Sequence, residues 1–177
     1  MSTEAIAVFK SLCPNCGADI TADRLAAGLP CERCLPQPTP HEKGELTHEA
    51  ICKQLADIGC LRNYARVCQL AKLTHEFTQF FIKTIGADPW NLQLTWAKRV
   101  FAGRSFAILA PTGVGKTTFG LVMAAYLPVK SYIIVPTRLL VEQILARLRE
   151  ITPQKVIAVY TGKRSERDFI ASGEFDI

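Results

Sequence analysis

The sequence predicts an α/β protein: a parallel sheet with crossover helices, incomplete within these 177 residues, preceded by a small metal-stabilised finger and a helical segment. Three observations carry this expectation. The apolar run Phe106-Ala107-Ile108-Leu109 leads into a glycine-bearing turn and then a helix-like run, Thr118 to Leu127. From residue 105 onward, short apolar runs alternate with helical patterns, as in strand–helix–strand units with right-handed crossovers. Two C-x-x-C pairs stand near the N-terminus in a stretch rich in Cys, Pro and Gly.

The elements follow in order. Residues 1–45 form the finger. Cys13-Pro14-Asn15-Cys16-Gly17 and Cys31-Glu32-Arg33-Cys34 are two knuckles separated by fourteen residues. Each supplies two thiolates, and the loop between them is long enough to bring all four sulfurs to one tetrahedral ion. Zinc suits a closed four-sulfur site, so Cys13, Cys16, Cys31 and Cys34 are expected to hold one structural Zn²⁺ in a zinc-ribbon-like finger. So small a unit buries little core, and the metal supplies much of its stability. Leu35 to Pro40 reads as a proline-rich linker. Residues 46–87 read as helical, with Ile51, Leu55, Ile58 and Leu61 spaced by four and three. Cys52, Cys60 and Cys68 have no C-x-x-C partner there and are expected as small buried hydrophobes. His41, His48 and His75 are scattered and read as surface or packing residues.

Residues 88–177 carry the α/β part. Asp88-Pro89 opens a helix, with Asp as N-cap and Pro in the first turn, and Gly103 stops it. Strands are expected at 105–110, 131–135 and 155–160, with a last one beginning at 173. Helices are expected at 116–127, 138–150 and 164–172.

The run Ala110-Pro111-Thr112-Gly113-Val114-Gly115-Lys116-Thr117 has the order strand, glycine turn, Lys-Thr, helix, which is the phosphate-binding loop arrangement. Gly113 and Gly115 let the backbone curl so that its N–H groups converge on phosphate oxygens. Lys116 supplies a charge for the β- and γ-phosphates and Thr117 a hydroxyl for Mg²⁺, so a nucleoside triphosphate with Mg²⁺ is the expected ligand. The usual pattern begins with Gly; Ala110 stands there, at a strand end where the residue needs only to be small.

Net charge is +5 and the isoelectric point about 8.9, which suits a nucleic-acid partner without requiring one. Hydrophobic residues make up 49% and charged residues 21%, the composition of a folded globular chain. No stretch approaches the roughly 18 apolar residues of a membrane span, and the first residues lack a signal-peptide pattern. A cytoplasmic protein is expected, in which seven cysteines point to metal before disulfides.

Further residues narrow the class. Gln93 stands 23 residues before Lys116. It resembles the glutamine of the Q motif in DEAD-box and related superfamily-two helicases, whose side-chain amide both donates to and accepts from the adenine edge. A surface glutamine on an amphipathic helix is the plain alternative. Phe77, Phe80, Phe81 or Trp90 offer a ring to stack on the base, although core packing explains most of them. Pro136-Thr137-Arg138-Leu139-Leu140-Val141-Glu142-Gln143 follows an expected strand and looks like motif Ia of the same helicases, where Thr137 and Arg138 would hold a nucleic-acid phosphate. Tyr160-Thr161-Gly162-Lys163-Arg164 resembles the next backbone-contact segment more weakly.

Taken together, the four-cysteine finger, the helical segment, Pro89-Trp90-Asn91-Leu92-Gln93 and the loop extended by Thr118-Phe119-Gly120 closely resemble reverse gyrase. The resemblance covers nearly the whole chain. It implies a RecA-like helicase lobe, zinc on the four cysteines, ATP on Gln93 and residues 110–117, and DNA as partner. Members couple such an ATPase to a type IA topoisomerase that introduces positive supercoils. The family's Walker B carboxylates, second helicase lobe, topoisomerase domain and cleaving tyrosine have no counterpart in these residues, so an amino-terminal fragment, inactive alone and with no catalytic residue, is expected. The finger would hold DNA phosphates through cations such as Lys10, Arg24 and Arg33, or brace neighbouring domains. Two rival readings stand beside this one: a zinc-finger-bearing helicase without a topoisomerase, and a non-enzymatic adaptor whose phosphate loop is vestigial.

Overall fold

The computed structural model describes residues 7–37 and 47–177. The prolines of the expected linker at 38 and 40, His41 and the 45/46 domain boundary lie outside the described residues. The chain divides into two compact units, residues 1–75 and 76–177.

In the first unit, β1 (Val8–Phe9) pairs antiparallel with β2 (Ile20–Thr21), Val8 opposite Thr21 and Phe9 opposite Ile20. The short helix α1 (Ala22–Ala26) follows directly. Helix α2 (His48–Asp57) begins at Thr47, whose hydroxyl accepts from Ala50 N at 3.2 Å. Ile51 and Leu55 are fully buried, as their spacing requires, whereas Ile58 lies past the helix end and is exposed. After a turn at 58–64, helix α3 (Ala65–Ile85) starts in the first unit and continues into the second. The core of the first unit joins Cys13, Ile20, Cys31, Cys34 and Leu35 of the finger to Ile51, Leu55 and Tyr64. Cys52 and Cys68 are joined in a disulfide between α2 and α3, against the expectation of free buried thiols. Their spacing of sixteen residues is invisible as a pair in sequence, because the turn that brings them together is set by tertiary contacts.

The second unit adds α4 (Asn91–Phe101), α5 (Lys116–Tyr126), α6 (Arg138–Ile151) and α7 (Arg164–Ser172). Helix α4 starts later than Asp88-Pro89 predicts. Its opening N–H, that of Trp90, is satisfied by Gln93 Oε1 at 2.9 Å rather than by Asp88. Gly103 closes α4 at φ +66° and Gly173 closes α7 at φ +71°, the left-handed geometry that glycine enters without steric cost. Phe77 and Phe81 of α3, Trp96 and Ala97 of α4, and Phe119, Val122 and Met123 of α5 form one core. Phe77 meets Phe119 and Tyr126 edge-on, with ring centres 6.1 and 5.4 Å apart. These rings fix α4 against α5, and with them Gln93 against the loop that opens α5.

The expected parallel sheet does not form among the described residues, where the one sheet is the β1–β2 pair. The stretches expected as strands carry no strand ladder. Hydrogen bonds do tie Ser131 N to Asp176 O (3.0 Å), Asp176 N to Val156 O (2.8 Å) and Ala158 N to Ile177 O (2.8 Å). The physical reason lies in burial. Parallel strands are stable when neighbours flank them and helices cover both faces. Here Leu109 and Ile134 are 96% and 95% exposed. An apolar cavity of about 480 Å³, lined among others by Ile133, Val141, Ile144, Leu148, Ile157 and Phe175, is left against α6. No helix among the described residues is long and apolar enough to cross a membrane.

Candidate functional site

Two sites are built from these elements, one in each unit. In the first, the expected cysteines converge. The sulfurs of Cys13, Cys16, Cys31 and Cys34 all lie within 4.8 Å of one another. Zinc–sulfur bonds of about 2.3 Å in a tetrahedron set sulfurs about 3.8 Å apart. Cys16 Sγ and Cys31 Sγ are 3.7 Å apart, so the donor set fits a zinc ion by both chemistry and spacing.

The knuckles are shaped by their own backbone. Gly17 N bonds Cys13 O at 2.9 Å, Leu35 N bonds Cys31 O at 3.0 Å, and Cys31 N points at Cys13 Sγ at 3.2 Å. Burial is the largest influence on the Cys13 thiol and raises its pKa. The backbone donors of Cys31, Cys16 and Asn15 together outweigh it and bring the group down to about 6. Burial pushes the Cys34 thiol well above its ordinary range and raises Cys16 as well.

Arg24 does not serve as a free cation. It is buried, with Nε donating to Pro30 O at 2.7 Å and a terminal guanidinium nitrogen donating to Leu35 O at 2.5 Å. Those carbonyls bracket the second knuckle. Arg33 and Lys10 remain exposed. Asn15, between the first two cysteines, is also fully buried and bonds the 60–64 turn. Composition hides both roles, because Arg and Asn ordinarily stay at the surface.

In the second unit, residues 110–117 run from an extended segment into α5, with Gly113 at φ +88° and Gly115, the N-cap of α5, at φ +75°. Lys116 Nζ folds back to donate to Ala110 O and Pro111 O, both at 2.6 Å. Gln93 is buried, and its Nε2 donates to Gly115 O at 3.3 Å. The structure thus brings Gln93 to the loop, although 22 residues separate it from Gly115. A Cβ on Gly115 would stand 2.6 Å from Gln93 Nε2. Gly115→Ala is therefore expected to displace Gln93 and to cost about 1–2 kcal/mol in the left-handed backbone. Thermal melting beside nucleotide titration checks this; an unchanged melting temperature would show that the loop tolerates a side chain there.

Phe77 and Phe81 are core residues, whereas Trp90 is exposed one turn before Gln93. Thr137 caps α6, its hydroxyl accepting from Leu140 N at 3.3 Å. Arg138 donates to Thr161 O at 3.3 Å, which joins the two segments that resemble backbone contacts.

Comparison with known proteins agrees with this layout. Residues 5–54 match the family model described as reverse gyrase zinc finger, and residues 90–176 match that of the DEAD/DEAH box helicases. The chain is 45% identical to reverse gyrase 1 of Aquifex aeolicus and 38% identical to the reverse gyrase of Pyrococcus furiosus. Each alignment covers 97% of this chain and 15% of the relative. The reverse gyrase of Methanocaldococcus jannaschii is 34% identical over 96% of this chain and 11% of its own length. The chain thus spans about 15% of the length of the first two relatives. With a reverse gyrase zinc finger at its front, a helicase region behind it and kinship along nearly its whole length, the chain belongs to the reverse gyrase family.

Proposed function

We propose that this chain is the ATP- and DNA-gripping amino-terminal part of an ATP-dependent type IA DNA topoisomerase that introduces positive supercoils. The observation that carries the reading is Gln93 packed against the glycine loop, with Lys116 folded into that loop. Each side-chain amide has two N–H donors and two lone pairs. Gln93 gives one donor to Gly115 O and receives Trp90 N on Oε1, which leaves one of each for an adenine edge. Trp90 lies open beside it for stacking. Lys116 would exchange two neutral carbonyls for the β- and γ-phosphates, the backbone N–H groups of residues 112–117 would line the phosphate chain, and Thr117 would reach Mg²⁺. Bound Mg²⁺ supplies charge neutralisation across those phosphates.

In this reading the finger is 1–45, the helical segment 46–87 and a partial helicase lobe 88–177. The extended segments of the last part would take their places in a RecA-like parallel sheet once flanking strands are supplied. Thr137 and Arg138 would hold a DNA phosphate without reading sequence. Zinc on the four cysteines would stabilise the finger. Hydrolysis and supercoiling would need the remaining helicase lobe and the topoisomerase domain, so this chain alone would be inactive, and the whole protein would act in the cytoplasm.

The test is base selectivity. Wild type is expected to prefer a fluorescent ATP analogue over the matching GTP analogue, and Gln93→Ala to lose that preference by roughly 10-fold, the worth of one or two hydrogen bonds. Equal affinity of the wild type for both nucleotides would remove Gln93 from the nucleotide site.

A further inference from the structure

We propose that Asn15 couples the four-sulfur centre to the helices behind it, so that metal loading and the order of the 60–64 turn rise and fall together. The inference rests on the reading of Cys13, Cys16, Cys31 and Cys34 as a zinc site, and goes beyond it. Asn15 lies between Cys13 and Cys16, so a metal that fixes both sulfurs fixes its backbone. The residue is 0% exposed. Its Nδ2 donates to Cys60 O at 2.7 Å. Its Oδ1 accepts from Arg62 N at 2.8 Å and from Tyr64 N at 3.3 Å. Its main-chain oxygen accepts from Asn63 N at 3.2 Å. One knuckle residue therefore bonds the carbonyl of Cys60 and the N–H groups of Arg62, Asn63 and Tyr64 in the turn between α2 and α3.

A second tie runs alongside. Tyr64, buried in the same core, donates its hydroxyl hydrogen to Gly28 O at 3.0 Å, in the loop that connects the knuckles. If the first knuckle opened, the N–H groups of Arg62 and Tyr64 would lose a buried acceptor, which is costly to leave unmatched. Coupling of this kind is reciprocal: what the metal does for the turn, the turn does for metal affinity. Asn15 is a positioning residue, since it acts on the centre through the backbone of its knuckle.

The experiment uses the zinc-loaded chain, with a chromophoric chelator as competitor and amide hydrogen exchange as the second readout. In the wild type, chelation is expected to abolish protection at Arg62 and Tyr64. Asn15→Ala is expected to weaken zinc by roughly 10- to 100-fold, the range seen when a supporting partner of a metal ligand is removed. Thr47→Ala, which removes the cap of α2 in the same unit, is expected to leave zinc affinity unchanged. Protection that survives chelation, or an Asn15→Ala chain that holds zinc as tightly as wild type, would overturn the coupling. So would a Thr47→Ala chain that loses zinc to the same degree, since the effect would then be general destabilisation. If Asn15→Ala does not fold, Asn15→Ser is titrated in its place, and zinc held as tightly as by the wild type overturns the coupling equally. A wild-type chain that takes up no zinc would instead sink the metal reading itself.

Discussion

Cys31→Ser is expected to yield a chain that carries almost no zinc, against about one ion per chain in the wild type. Serine keeps the shape of the side chain but replaces a thiolate with a hydroxyl that stays protonated. Cys31 is buried, sits 3.7 Å from Cys16 Sγ, and directs its own N–H at Cys13 Sγ. The substitution therefore removes one sulfur ligand and leaves the N–H that points at Cys13 Sγ in place. The energy at stake is large, because structural zinc contributes about 10–16 kcal/mol in small folds. The hydrophobic core it shares is short: Ile20 and Leu35 from the finger side, Ile51, Leu55 and Tyr64 from the helical side. The first unit is thus expected to lose cooperative unfolding, while the aromatic core around Phe77 persists. Metal analysis with calorimetry reads both outcomes. A serine variant that retains a full zinc complement would show that the four sulfurs are not the site.

Lys116→Ala is expected to lower ATP affinity by roughly 10- to 100-fold, since hydrogen bonds made by a charged donor contribute about 1.5–3 kcal/mol. Stability should hardly change. The Lys116 ammonium bonds the carbonyls of Ala110 and Pro111 in its own loop, and the α5 core is made by Phe119, Val122 and Met123. Titration with a fluorescent ATP analogue, paired with thermal melting, separates the two effects. Unaltered ATP affinity would mean that the glycine loop is not a nucleotide site, and the adaptor reading would then lead.

Much of this was legible in the chain itself. Helices α5, α6 and α7 fall where helical runs bounded by turn residues place them, and the left-handed Gly103 stops α4 where expected, whereas Gly173, expected to open a strand, closes α7. The knuckle spacing foretold the four-cysteine cluster, because a C-x-x-C turn is a local object. The sheet was not legible in the same way. Apolar runs say that a segment is apt to be a strand, but a ladder exists only when another segment supplies its hydrogen bonds, and Leu109 and Ile134 stand uncovered. The Cys52–Cys68 bond, the Asn15 contacts and the cap of α4 depend on which distant groups meet. For α4, the competition between Asp88 and Gln93 for the first N–H is decided by where Gln93 is held, against Gly115.

The inward-facing Arg24 changes how the finger should be viewed as a charged object. Its planar fork reaches two carbonyls on either side of the second knuckle at once, a task that the single ammonium of a lysine performs poorly. Its charge is thus invested in the shape of the finger rather than displayed. Among the described residues of the finger, a polyanion that meets this surface would displace salt ions through Lys10 and Arg33 and not through Arg24.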